Sequence, residues 1–180
     1  MTIDVLHNIL PLPEAPYEIG SDEAWVEVQR ALEVALPSDY KQYIRTYGTG
    51  QVGGFLWPHN PFTESPYLNL ITQTPKILGA LRTIKGVWGD LMPSYPFFPE
   101  PGGLLPWGHT DNGDVLYWQT AGNADQWTIV VNEARGPKFE HFQQTMMSFL
   151  AKILSQQVVS EIFPDDFPDK NNIFQAYRQG

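Results

Sequence analysis

Four histidines, at positions 7, 59, 109 and 141, are the side chains of this chain best suited to move a proton near neutral pH. His109 stands just ahead of Asp111 and Asp114, so one short stretch offers an imidazole and two carboxylates, all metal-ligand types. Asp111-Asn112-Gly113-Asp114 is also turn vocabulary, chosen for backbone reasons, and that reading outweighs a metal. A calcium loop needs alternating oxygen ligands and a late bidentate Glu, but the apolar run Val115-Leu116-Tyr117-Trp118 follows instead. Gly48-Thr49-Gly50 and Gly53-Gly54 lead into a strand and carry no Lys, so no phosphate loop is formed. There is no Gly-x-Ser-x-Gly elbow. The chain has no cysteine, which excludes thiolate nucleophiles, thiolate metal sites and disulfides. Asp165-Asp166 falls in a tail where no pocket would shift a pKa. The expectation is no catalytic residue, no metal and no cofactor.

The elements that would position these residues centre on Leu104 to Val131. This stretch predicts three strands joined by two turns, the first at Asn112-Gly113, where Gly113 supplies the positive φ, and the second at Gly122 to Asp125. Ser21 predicts the cap of a helix that carries Trp25, Val28 and Leu32 on one face. Pro37-Ser38 opens another, with Tyr40, Tyr43, Ile44 and Tyr47 at helical spacing and Gly48 as its stop. Gly50 to Gly54 reads as a flexible turn before a short strand, Phe55 to Trp57. A helix over about 70–81 is expected, with Thr74-Pro75 as its start. Residues 86–103 hold four prolines and are expected to be irregular. Lys138 to Phe142 predicts an edge strand and about 143–155 a last helix, lined by Met146, Phe149, Leu150 and Ile153. Residues 1–20 read as an extended N-terminal arm, and 156–180 as an acidic C-terminal extension of low order or loose docking.

The length of 180 residues suits one domain, and 42% hydrophobic residues suit a core without staples. The formal charge of −9 sets this surface against nucleic acid and anionic membrane, and favours a basic protein partner. Lys41, Arg45, Arg82, Lys85, Arg135 and Lys138 are scattered and form no nucleic-acid patch. No apolar run approaches the roughly 20 residues of a membrane span. No basic leader precedes an apolar run at the N-terminus, and the lack of cysteine fits a cytoplasmic protein. Trp57, Trp107, Trp118 and Trp127 lie in or beside the predicted sheet. Most are expected in the core, and one or two are candidates to line a partner groove.

Leu36-Pro37-Ser38-Asp39-Tyr40, closing on Tyr47-Gly48, resembles the helix motif of the SUKH superfamily. That superfamily includes yeast cell-wall regulators of the Smi/Knr type and many bacterial immunity proteins. The likeness continues through Phe55-Leu56-Trp57, Asn60-Pro61, Trp107-Gly108, Tyr117-Trp118, Trp127 to Val131 and Ser148-Phe149-Leu150, over roughly residues 21–155. The Pro-rich insertion at 86–103 and the C-terminal extension depart from it. The resemblance implies an α+β single domain, a mixed and mainly antiparallel sheet with helices packed on it, and no enzyme activity. It further implies a protein-binding module, typically an immunity protein that occludes a cognate toxin, with acidic residues steering a basic partner. Glu100, Asp111, Asp114 and Asp125 are the candidate steering carboxylates, with Trp107 as the candidate groove aromatic. The alternative is a regulatory scaffold of the Smi/Knr type without a toxin. An enzyme would instead require a deep pocket bringing His109 within hydrogen-bond reach of a carboxylate.

Overall fold

A computed structural model describes residues 3–169 and 173–178. Its centre is one seven-stranded sheet of order β6-β5-β4-β3-β2-β1-β7. The strands are β1 Gly50–Val52, β2 Leu56–Pro58, β3 Leu104–Thr110, β4 Val115–Gln119, β5 Thr128–Asn132, β6 Phe139–Phe142 and β7 Phe174–Ala176. The fold is α+β in a single domain. Every strand pairing is antiparallel, so the sheet is not mixed. Parallel contact is confined to two isolated bridges, Tyr17 with Gly48 and Phe97 with Leu104.

The helices are α1 Ile3–His7, α2 Asp22–Leu32, α3 Ser38–Tyr47, α4 Leu70–Trp88 and α5 Met146–Leu154. Period-two alternation along the strands builds two apolar faces. Leu105, Trp107, Leu116, Trp118, Ile129 and Val131 join the core made with α1, α2, α3 and α5. Leu104, Tyr117 and Val130 point the other way, against Leu81 of α4, Met92 and the partly buried Tyr95 and Phe97. The Pro-rich insertion thus serves as part of a lid on the second face.

The first hairpin has a three-residue loop rather than a two-residue one. The Gly113 amide donates to the Thr110 carbonyl, the Thr110 amide donates to the Asp114 carbonyl, and only Gly113 takes a positive φ, of 89°. In β3 the register shifts between Pro106 and Gly108, and Trp107 is the extra residue of this bulge.

Two helix starts are capped from outside their own segments. Pro37, at the head of α3, has no side-chain donor or acceptor to offer, and Asp125 Oδ1 accepts the Ser38 amide at 2.6 Å in its place. Thr145 makes no cap bond to α5, and Asp39 Oδ2 accepts the Met147 amide at 3.0 Å. The β4–β5 turn is tied to α3, and α3 to α5. The apolar face of α3 is fully buried at Tyr40, Tyr43, Ile44 and Tyr47. Burial of the Ile44 side chain alone stabilises by roughly 1.5–3 kcal/mol.

Several segments differ from the sequence-based expectation. The 1–20 arm contains the one-turn helix α1, and Leu6 and Leu10 are fully buried. The glycine-rich stretch after α3 holds β1, because its backbone pairs on both sides. Helix α4 starts at an Asn69 cap and continues to Trp88, with Pro75 inside its second turn, where it offers no amide to the Ile71 carbonyl. Phe163 and Phe174 of the C-terminal extension are buried, and β7 is a sheet edge. Residues 1–2, 170–172 and 179–180 of the two terminal segments lie outside the described residues.

Candidate interaction surface

The five residues singled out from the sequence do not form one patch. Successive turns of a meander lie at opposite ends of its strands. Asp111 and Asp114 therefore sit at one end of β4, and Asp125 sits at the other, with Glu100 beside the Gly102 amide that donates to Thr120. Five strand residues separate the ends by roughly 15 Å.

Two of the five have no surface to offer. Trp107 is fully buried, packed on Trp118 and Phe149 with ring centroids 6.1 and 6.4 Å away. Leu105, two residues earlier, faces the same core, so strand alternation already turns Trp107 inward. Asp114 is only 3% exposed. Its Oδ1 accepts the Ala134 amide and its Oδ2 accepts the Thr110 hydroxyl, so it fastens the hairpin to the β5–β6 turn. Asp125 is exposed, but it is occupied with capping α3. The Ser38 hydrogen bond holds its carboxyl below the usual carboxylate range, because that bond favours the charged form. Glu100 is exposed in the Pro-rich insertion.

Asp111 belongs to a constructed surface. Its Oδ1 accepts Trp57 Nε1–H at 2.7 Å and its Oδ2 accepts the Gln51 side-chain amide at 2.9 Å. The Tyr177 ring meets Trp57 edge-on, with centroids 6.2 Å apart. Trp57 pairs in register with His109, and Gln51 with Gln175, so all four side chains share one sheet face. On this face α4 and the 92–98 segment lie over the β3–β6 half. At β1, β2 and β7, Gln51, Trp57 and Tyr177 stay half-exposed, and Gln175 and Asp111 exposed. Asp111 makes no ion pair among the described residues. The result is a Trp braced by a carboxylate, with a Tyr edge-on to it. Aromatic side chains give up little rotamer entropy on binding and are common hot spots.

Beneath this face lie two histidines that the sequence does not connect. His59 Nε2 and His109 Nδ1 approach to 2.9 Å, so one ring donates and the other accepts. The His59 amide donates to the Trp107 carbonyl, and its carbonyl accepts the Tyr40 hydroxyl at 2.7 Å. Burial, helped by repulsion from His109, lowers the His59 pKa to about 3. Burial also lowers that of His109, opposed by the charge of Asp111. Both rings are therefore neutral at pH 7. The partner of His109 is a histidine and not a carboxylate, with His59 fully buried and His109 half-buried. Among the described residues, no group of three or more His, Asp or Glu is placed to share a metal ion. No helix among them is long and apolar enough to cross a membrane.

The motif at the head of α3 now has physical content. Asp39 caps α5, Tyr40 holds the His59 carbonyl, and Gly48 takes a φ of 71° where a Cβ would lie 2.1 Å from the Tyr17 carbonyl oxygen. No curated protein and no solved structure shows a significant match to the chain. The sequence model of the family SUKH_6, described as SMI1-KNR4 cell-wall, matches residues 22–150, which is more than half of the chain and spans α2 through most of α5. With its motif accounted for residue by residue, the chain belongs to the SUKH family of SMI1-KNR4 cell-wall domains.

Proposed function

We propose that this protein is a non-catalytic binding module of the immunity type, which attaches to a cognate protein toxin and blocks it by occlusion. The observation that carries the reading is the Trp57–Asp111–Gln51 cluster, a braced aromatic with an uncompensated carboxylate on an uncovered sheet face. Family membership supports the same class of activity. Net charge of −9 favours encounter with a basic partner and opposes nucleic acid. A cytoplasmic site of action follows from this reading, since a producing cell meets its own toxin there.

The test is expression of the neighbouring gene's product, which this reading expects to be toxic, with and without this chain. Growth should be restored, and the two proteins should co-elute on size exclusion. Toxicity that persists beside a well-expressed, folded partner would overturn the reading. A regulatory scaffold without a toxin is the second reading, favoured by the cell-wall description of the matched family. It predicts several unrelated partners and no protection.

A further inference from the structure

Helix α4 packs one side on the sheet and leaves the other bare. Its 19 residues include no carboxylate, in a chain with 20 Asp and Glu. The cations in its second half are occupied elsewhere. Arg82 lies over the Phe97 ring, 4.9 Å from its centroid, and Lys85 Nζ donates to the Gly89 and Met92 carbonyls. Between Lys76 and Asp90 the outward side is therefore uncharged, with Gly79, Ala80, Thr83, Gly86 and Val87 exposed along it. The Thr83 hydroxyl donates to the Gly79 carbonyl, so it is already satisfied. Val87 is 75% exposed, and Leu91, just past the helix, 72%. Glycine is a poor helix former, yet no described residue comes within 4 Å of a Cβ added at Gly79 or Gly86.

The order of these residues says what covers them. A contact between two identical chains about a two-fold axis must be complementary to its own image. With antiparallel helices and the axis at Thr83, Gly79 faces Val87 of the second copy, Ala80 faces its Gly86, and Lys76 faces its Asp90. The large side chain meets a glycine, and each charge meets its opposite. Lys76 and Asp90 are exposed, and neither makes an ion pair among the described residues. Parallel helices would instead set Lys76 against Lys76 and Asp90 against Asp90. Net charge of −9 holds copies of this chain apart, and a helix without carboxylates lowers that repulsion where it faces itself. We propose that the outer face of α4 is a self-association surface, on which two copies of the chain pair as antiparallel helices about Thr83. The surface is distinct from the Trp57 face, and it stands whether or not the partner there is a toxin.

A single helix pair is a small interface, so sedimentation equilibrium of the full-length chain should show a dimer with a Kd on the order of 10–100 μM. Lys76→Glu and Asp90→Lys should each weaken it about tenfold, since each puts like charges together at both ends of the pair. The double variant Lys76→Glu, Asp90→Lys should recover it, which loss of a merely structural role would not allow. Gly79→Gln puts a bulky polar group opposite Val87. It should abolish the dimer while the melting temperature holds or rises, because Gln is the better helix former. The chain has no cysteine, so Thr83→Cys places one thiol at the axis. A short bis-maleimide should link that variant into dimers, and should leave Val26→Cys, exposed on α2, as monomer. All these positions are exposed, so circular dichroism should show each variant folded. A chain that stays monomeric up to about 0.5 mM, well above that Kd, would overturn the proposal. Failure of the double variant to recover association, a dimer that survives Gly79→Gln, or equal linking of the two cysteine variants would do the same.

Discussion

Asp39 of α3 accepts the Met147 amide at the head of α5 through Oδ2 at 3.0 Å, a bond that joins residues 108 positions apart. The aspartate of the α3 motif is thus a cap for another helix. Asp39→Ala leaves that amide without its acceptor and is expected to cost about 1–2 kcal/mol in urea unfolding. Asp39→Asn keeps an acceptor oxygen and should cost clearly less. Equal losses in the two variants would show that the capping bond is not what matters.

The His59–His109 pair predicts how stability follows pH. The folded-state pKa of His59 is about 3, against 6.5 for an unperturbed histidine. The unfolded chain therefore binds the extra proton over that interval. The stabilisation is fully present above about pH 6.5 and is lost as pH falls toward 3, by about 1.4 kcal/mol per pH unit for one proton. His109 adds to the same trend. Urea midpoints taken between pH 7 and 5 should fall steeply in the native protein. In His59→Gln the slope should be smaller by about one proton, whatever that variant costs at pH 7. An unchanged slope would mean that His59 is not held neutral.

Two glycines should respond differently to one methyl group. Gly113 has a φ of 89°, and the nearest atom to an added Cβ is 3.7 Å away, so Gly113→Ala should cost only the left-handed backbone term, about 1–2 kcal/mol. Gly48 shares the positive φ, but its Cβ would strike the backbone of Tyr17. Gly48→Ala should lower the melting temperature much further, since the segment carrying Tyr17 has to move. Similar losses at both positions would contradict the close approach.

Phe174 packs against Tyr47, with ring centroids 5.2 Å apart, and is 9% exposed. Phe174→Ala should destabilise by about 3 kcal/mol, as a core deletion does. A loosely docked tail would lose no more than about 0.5 kcal/mol. Thermal unfolding separates the two cases.

On the open face, Trp57→Ala should cost about 2 kcal/mol or more in affinity for the cognate partner. Asp111→Ala removes the acceptor for both Trp57 and Gln51, and should raise the dissociation rate by freeing the ring. Titration calorimetry and surface binding kinetics measure these effects. Unaltered affinity in both variants would move the contact elsewhere.

The sequence was most readable where local pattern and tertiary burial agree. Tyr40, Tyr43, Ile44 and Tyr47 at helical spacing, Ser21 as a cap, and the strand-forming runs around Tyr117 and Ile129 all appear where pattern puts them. Legibility failed where a distant neighbour decides the outcome. Gly50–Val52 is a strand because β2 and β7 flank it, not because glycine favours one. The place of His109 on the Trp57 face depends on a register shift set by pairing with β4. Asp111 and Asp114 look alike in a turn, yet one faces solvent and the other fastens a turn from β5. That difference lies in the Ala134 amide, twenty residues along the chain. The partnership of His59 with His109, fifty residues apart, left no local trace.

The place of β7 beside β1 has a consequence for synthesis. β1 leaves the ribosome long before its outer neighbour has been translated, so the edge it turns toward β7 stays unmatched through most of elongation. A nascent chain stalled short of Phe174 would offer that bare strand to its neighbours on the same polysome. Chaperone demand during translation should therefore depend on how quickly the final segment arrives.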